Sequence, residues 1–96
     1  LRGLMLLMDI RHPLTPLDRQ LLDWCAVRGL PVRILLTKAD KLSRGAALTT
    51  LRQVEKTLRT DFPQTSAQLF SAVTRLGVAE AHSRLDEWLG FTVRPS

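Results

Sequence analysis

The chain has 96 residues, enough for one domain and short for a complete α/β fold. Its 45% hydrophobic content supports a buried core, and without an apolar run of about 18 residues we expect no contact with a membrane. The single cysteine, Cys25, excludes an internal disulfide and favours the cytoplasm, while the net charge of +5 favours a polyanionic partner such as RNA or a phosphorylated ligand.

The first two predicted elements are a buried strand and a helix. The run GLMLLMDI, residues 3–10, is almost continuously apolar, as a strand covered on both faces requires. Thr15, Pro16 and Asp18 then provide a capping hydroxyl, a first-turn proline and a first-turn acid, and Gly29 should end the helix. Apolar residues at helical spacing predict its inward face: Leu17, Leu21, Trp24 and Cys25.

The next strand and helix repeat this order. The run VRILLT, residues 32–37, predicts a second buried strand, and the segment after it predicts a long helix that ends at Phe62 and Pro63. Residues at helical spacing form its apolar face: Ala47, Leu51, Val54 and Leu58. Three basic residues line the opposite face: Arg52, Lys56 and Arg59.

A weaker strand and a final helix complete the chain. The run SAQLFSA, residues 66–72, predicts a short strand, and the last helix should begin near Gly77 and end at Gly90. Its expected inward residues are Val78, Ala81, Leu85, Trp88 and Leu89. The order is therefore βαβαβα, which predicts a three-layer α/β fold with a parallel sheet of three strands and right-handed connections.

The tetrapeptide TKAD, residues 37–40, follows the second strand directly. Ligands of open α/β sheets bind at the carboxyl ends of the strands, so this loop is a candidate binding site. The Asp40 carboxylate can accept two N–H bonds from one planar base edge, as guanine N1 and N2 offer and adenine does not. The Lys38 stem can lie across a ring, and the Thr37 hydroxyl can tie neighbouring loops together.

Ser71 and Ala72 occupy the corresponding end of the next strand. Because adjacent parallel strands bring their carboxyl ends to one edge of the sheet, we expect both residues to face Asp40 across a crevice. Their small side chains let the backbone approach a base closely. The N–H group of Ala72 can then donate to a purine O6 atom.

These motifs carry a specific resemblance. An [N/T]KxD motif followed about 30 residues later by Ser-Ala resembles the guanine-recognition motifs of P-loop GTPases. The stretches LMDIRHPLTPLDRQLLDW, LLTKADKLSRGA and FSAVTRLGV resemble the C-terminal half of the EngB (YihA/YsxC) family of bacterial GTPases, from about Leu4 to Leu89. The resemblance implies GTP or GDP binding and a role in large ribosomal subunit assembly and in cell division, including septation. It implies a guanine pocket formed by Thr37, Lys38, Asp40, Ser71 and Ala72.

The phosphate-binding motifs of that family do not occur in these residues. No lysine follows a glycine in a G-x-x-x-x-G-K-[ST] pattern, and no aspartate begins a D-x-x-G motif. We therefore expect residues 1–96 to form a single partial GTPase domain, the guanine-recognition half, with no catalytic residues of its own. We expect weak or absent nucleotide binding and no GTP hydrolysis, because Mg²⁺ and the phosphates are held elsewhere in the intact family domain.

Two other interpretations compete with a guanine site. The basic face of Arg52, Lys56 and Arg59 is more typical of a solvated helix, yet it also fits a non-enzymatic module that binds RNA or the ribosome. The chain can alternatively be an inert remnant that self-associates through an exposed first strand. The two histidines have no partners at metal-ligand spacing, so we expect no metal site, and we expect Asp9, Arg11 and His12 to stabilise a loop.

Overall fold

The computed structural model describes residues 3–89, and within them the predicted order of strands and helices is confirmed. The third strand begins and ends earlier than predicted, so that residues 70–72 belong to the following loop. The predicted end of the last helix, Gly90, lies outside the described residues. The elements are β1 (Leu4–Asp9), α1 (Pro16–Val27), β2 (Val32–Thr37), α2 (Arg44–Asp61), β3 (Thr65–Leu69) and α3 (Val78–Leu89).

The three strands form one parallel sheet in the order β1-β2-β3. Asp9 pairs with Thr37 and Leu36 pairs with Leu69, so all three strands reach their carboxyl ends at the same edge. Over the part of the chain that is described, β1 pairs only with β2, and Leu7 on β1 is 62% exposed. Self-association through β1 stays a prediction.

Helices cover both faces of β2, which confirms the three-layer architecture. Successive side chains of a strand point to opposite faces. Val32, Ile34 and Leu36 are almost completely buried on one face, in a cluster with residues of α1 and α2. On the other face the Arg33 guanidinium lies 3.3 Å from the Glu80 carboxylate of α3.

Side-chain caps fix where the first two helices begin. The Thr15 hydroxyl accepts a hydrogen bond from the Asp18 N–H, and the Asp18 carboxylate accepts one from the Thr15 N–H, each over 3.2 Å. This reciprocal pair satisfies two N–H groups that a helix start leaves free. Ser43 caps α2 by accepting a hydrogen bond from the Ala46 N–H.

No helix within residues 3–89 is both long and apolar enough to cross a membrane.

The predicted inward face of α1 is partly wrong. Leu22 and Cys25 are buried, whereas Leu17 is 75% exposed and Trp24 is 47% exposed. Nearly every position in the second half of α1 is apolar, so spacing alone does not select a single face. The Trp24 ring is instead covered from outside by Arg28, whose guanidinium carbon lies 3.8 Å from the ring centroid.

The predicted apolar faces of α2 and α3 fare differently. In α2, Ala47, Val54 and Leu58 are buried and Leu51 packs against them, as predicted. In α3 the burial is looser: Ala81 is buried, Val78 and Trp88 are half-buried, and Leu85 is 40% exposed. Trp88 lies directly against Gly3, where a side chain would collide with its ring. The side chain of Leu89 lies outside the described part of the structure.

Candidate functional site

Backbone hydrogen bonds beyond the ends of β2 and β3 bring the two candidate loops together. The Phe70 N–H donates to the Leu36 carbonyl over 3.0 Å, and the Ala39 N–H donates to the Phe70 carbonyl over 3.2 Å. The chain after Lys38 forms a short 3₁₀ turn, Ala39–Lys41, which carries Asp40 outward. The parallel pairing therefore continues far enough to set Asp40 beside the residues after β3.

Asp40 and Ser71 are directly bonded. The Ser71 hydroxyl donates to Oδ1 of Asp40 over 2.7 Å, and it accepts a hydrogen bond from the Thr74 N–H over 3.2 Å. Ser71 is completely buried, whereas Asp40 is exposed. The buried serine thus orients a carboxylate that faces solvent.

The electrostatics keep the Asp40 carboxyl group ionised. The Ser71 hydroxyl lowers the pKa of Asp40, with smaller contributions from its own backbone N–H and from the nearby charge of Lys41. Partial desolvation opposes them and does not reverse the direction. At neutral pH the group is therefore a charged acceptor, as recognition of two N–H donors requires.

The turn after β3 is stabilised by a residue that the sequence reasoning missed. Gln68, buried within β3, donates from Nε2 to the Gly77 carbonyl over 2.7 Å and accepts at Oε1 from the Arg33 Nε over 2.9 Å. The available signal was a long polar side chain at residue 68, in the middle of a predicted strand. Gly77 has a φ of 78°, and a side chain there would collide with the Leu69 carbonyl, so the turn requires glycine.

Ala72 is an exposed residue of this turn. The turn is closed by the Ser71 N–H, which donates to the Leu76 carbonyl over 3.0 Å. Within residues 3–89 the N–H group of Ala72 donates to no backbone carbonyl. It lies one residue after Ser71 and is free to donate to a ligand.

Thr37 and Lys38 connect the site to β1. The Thr37 hydroxyl donates to the Met8 carbonyl over 3.2 Å, so it links the ends of β2 and β1. Lys38 has a φ of 59°, in the left-handed region that non-glycine residues rarely adopt. Its Nζ lies 3.7 Å from Oδ2 of Asp9, and its side chain is 58% exposed.

Asp9 and Arg11 form a tight loop of their own at the end of β1. Arg11 donates its backbone N–H and its Nε to Oδ1 of Asp9, over 2.9 Å and 3.1 Å, and its NH2 group donates to Oδ2 over 2.9 Å. These bonds lower the pKa of Asp9 far below its usual range. His12 is exposed, and its backbone N–H donates to the Asp9 carbonyl.

The three basic residues of α2 lie apart from this site. Arg52, Lys56 and Arg59 are all exposed, and within residues 3–89 none of them has an ion-pair partner. The helix begins beside the site at its Ser43 cap, so Arg52 lies about 13 Å further along the helix axis. In the same described range, no three His, Cys, Asp or Glu side chains lie close enough to hold a metal ion.

Comparison with known proteins finds curated relatives of similar sequence. No protein-family model matches the chain. The chain is 55% identical over 91% of its length to a probable GTP-binding protein EngB of Methylobacillus flagellatus, and 52% identical over 92% to one of Nitrosococcus oceani. The matches cover 42% and 44% of those proteins, so the chain spans less than half the length of these curated relatives.

Solved structures confirm the fold class. The translation elongation factor SelB of Methanococcus maripaludis, in complex with a GTP analogue, matches 99% of this chain with a TM-score of 0.76. The match covers 22% of SelB at 18% identity. The same factor without ligand matches 97% of the chain with a TM-score of 0.74. At this identity the likeness concerns the fold alone.

Proposed function

This chain corresponds in sequence to the C-terminal part of the EngB proteins, and on that premise we propose that it binds the base of a guanine nucleotide. The pocket comprises Thr37, Lys38, Asp40, Ser71 and Ala72. The observation that carries the proposal is the ionised Asp40 carboxylate, held by the buried Ser71 hydroxyl where β2 and β3 end together. The names of the curated relatives, each a probable GTP-binding protein, support it.

Asp40 provides the selectivity for guanine. The N1–H and N2–H groups of guanine point the same way from one edge of the ring, so one carboxylate accepts both. Adenine carries an acceptor at N1 and no donor at C2. A bound adenine therefore places a lone pair against the Asp40 oxygens, which is repulsive.

The other pocket residues position the base. The stem of Lys38 lies across the ring, and its ammonium group stays in contact with polar oxygens. The Ala72 N–H donates to guanine O6, which adenine replaces with a donor. Thr37 and Ser71 hold the two loops in place by bonds to the Met8 carbonyl and to Asp40.

The proposal concerns the base and leaves phosphoryl transfer outside these residues. In P-loop GTPases much of the binding energy comes from phosphates and Mg²⁺. These residues contain no P-loop motif, and the described ones offer no metal-ligand cluster, so we assign magnesium no step on them. We expect nucleotide affinity in the millimolar range and no GTP hydrolysis by the 96-residue chain alone.

For the intact protein we propose the cellular role that the EngB resemblance implies. Nucleotide binding at this site would serve assembly of the large ribosomal subunit and normal cell division, including septation. The names of the curated relatives state GTP binding, which this role requires, and the pocket of Asp40 would supply the nucleotide selectivity.

Titration of the ¹⁵N-labelled chain with guanosine, GMP and adenosine tests the proposal. We expect guanosine and GMP to saturate and adenosine to bind more weakly. Asp40→Asn should weaken guanosine binding by roughly 10-fold to 100-fold, since it removes charge from two hydrogen bonds. Asp23→Asn removes an exposed carboxylate of α1 and is the matched control.

Two results would count against the guanine pocket. Equal affinity for guanosine and adenosine would remove its selectivity. An Asp40→Asn variant that binds guanosine as well as the Asp23→Asn control would show that Asp40 does not contact the base.

A second candidate function rests on the α2 basic face. Arg52, Lys56 and Arg59 are exposed and have no ion-pair partner within the described residues, so their charges are available to phosphates. Ribosomal RNA is the partner that this face fits. Binding to phosphates releases counterions and therefore weakens steeply as salt rises.

Salt-dependent binding of single-stranded RNA tests this second candidate. Replacing Arg52, Lys56 and Arg59 together by Gln should lower affinity and flatten the plot of log affinity against log salt by about 2 in slope. Asp40→Asn should leave RNA binding nearly unchanged. An unchanged slope in the triple variant would remove RNA binding from this face.

A further inference from the structure

The candidate pocket depends on a lysine whose side chain has no hydrogen-bond or ion-pair partner within its own loop. Lys38 has a long side chain that is 58% exposed, and freezing such a chain over a ligand costs conformational entropy. Its one ion-pair partner among residues 3–89 is Asp9, which belongs to a different strand. Within residues 3–89 the Asp9 side chain makes no hydrogen bond or ion pair with any other residue of the proposed pocket.

From this geometry we propose that Asp9 is a positioning residue for base recognition, which holds the ammonium group of Lys38 so that the lysine stem lies across the base. The inference rests on the proposed function and adds a residue to it. Asp9 acts through Lys38 and does not itself contact the nucleotide.

The backbone brings the two residues together in a fixed way. Asp9 and Thr37 lie opposite each other at the ends of β1 and β2, so Lys38 is the first residue after this pair. The Thr37 hydroxyl bond to the Met8 carbonyl links the strand ends there. The left-handed backbone of Lys38, with φ of 59°, turns the chain away from the strand direction at this point. The Nζ then reaches Oδ2 of Asp9 at 3.7 Å.

Arg11 makes Asp9 a rigid anchor. Its backbone N–H and two guanidinium nitrogens all bond the same carboxylate, over 2.9 Å to 3.1 Å. A carboxylate held by three donors keeps one orientation and stays ionised. Lys38 consequently pairs with a fixed charge and not with another mobile side chain.

The effect should appear in binding far more than in folding. An isolated exposed ion pair contributes little to stability, because water and salt screen it. Ordering one long side chain before a ligand arrives improves affinity by lowering the entropy lost on binding. We expect Asp9→Asn to weaken guanosine binding about threefold to tenfold, the cost of ordering one long side chain on binding.

A double-mutant cycle on guanosine affinity separates positioning from a general structural role. The variants are Asp9→Asn, Lys38→Met and the two combined. If Asp9 acts through Lys38, the double variant binds guanosine no more weakly than Lys38→Met alone. Asp9→Glu keeps the charge and should restore part of the affinity. Effects of the two substitutions that multiply, or an Asp9→Asn variant with unchanged affinity, would overturn the proposal.

A second readout needs no nucleotide. In the free chain, ¹³C relaxation of the Lys38 side chain should show a more mobile Cε in Asp9→Asn than in the wild type. Equal mobility of Cε in Asp9→Asn and in the wild type would show that Asp9 does not hold the Lys38 side chain. Arg11→Gln removes the guanidinium and keeps Asp9, so it should give an intermediate mobility. It provides a second test of the same ion pair if Asp9→Asn fails to fold.

The outcome of the Asp40→Asn titration keeps this inference separate from the proposed function. If Asp40→Asn weakens guanosine binding and Asp9→Asn does not, the positioning role alone fails. If Asp40→Asn has no effect, the guanine site itself fails, whatever Asp9 does.

Discussion

The buried face of β2 and the strand-end site are built by different forces, although they are adjacent in sequence. Val32, Ile34 and Leu36 are stabilised by removal of their side chains from water. The stabilising free energy is roughly proportional to the apolar area that is buried. Lys38 and Asp40 lie just beyond the end of this strand, where Asp40 accepts a hydrogen bond from the buried Ser71 hydroxyl and the exposed Lys38 side chain pairs with Asp9. We expect the first region to determine whether the chain folds and the second to determine what it binds.

This difference teaches how one short segment serves both purposes. Close packing of the core fixes the position of the buried strand and therefore of its carboxyl end. The polar residues after it then need few bonds to acquire a fixed geometry, because the backbone already brings Asp40 to Ser71 and Thr37 to Met8. Damage to the core should destroy both regions, whereas damage to the site should leave the core intact.

The largest effect is expected from the buried side. Ile34→Ala removes a completely buried side chain and should lower the free energy of unfolding by about 2–5 kcal/mol. Urea denaturation followed by circular dichroism measures this. Leu7→Ala, at a 62% exposed position on β1, is the control and should change stability by no more than about 0.5 kcal/mol. Equal losses in both variants would contradict the conclusion that burial of residues such as Ile34 stabilises the fold.

A smaller and more selective effect is expected from Ser71→Ala. The Ser71 hydroxyl lowers the pKa of Asp40, so its removal should raise that pKa back toward the ordinary value for aspartate. Because a depressed carboxyl pKa keeps Asp40 ionised as the pH falls, the variant should lose guanosine binding at a higher pH than the wild type.

The pH profile of guanosine affinity provides the measurement, between about pH 3 and pH 7. Any stability that the Asp40–Ser71 bond contributes is present above the unfolded pKa of aspartate and is lost as the pH falls through the folded value. Ser83→Ala, at an exposed position of α3, should leave the profile unchanged. An acid limb that does not move in Ser71→Ala would show that the hydroxyl does not act on Asp40.

The sequence predicts the strands well and the helix faces less evenly. A short, mostly apolar run such as residues 32–37 favours a buried strand because it follows a proline and is too short for a typical helix. The caps Thr15 and Ser43 fix the helix starts through local chemistry alone. The buried face of α1 is harder to predict, because nearly every position in its second half is apolar and only packing selects Leu22 over Trp24.

The site divides in the same way. The closeness of Asp40 and Ser71 follows from topology, since neighbouring parallel strands end at one edge. The Asp9–Lys38 pair does not follow from it, because the pair depends on an unusual φ at Lys38 and on the reach of a long side chain. The Gln68 bond to the Gly77 carbonyl depends likewise on side-chain geometry that no spacing rule encodes.

The most direct test of a guanine site at the strand ends is to map guanosine onto the chain by ¹H–¹⁵N chemical-shift changes. We predict saturable shifts concentrated at residues 37–41 and 71–73, with the Ala72 amide among the largest. The same titration with adenosine should leave these resonances nearly unmoved. Shifts that are absent at millimolar guanosine, or that fall instead on the basic face of α2, would contradict the account.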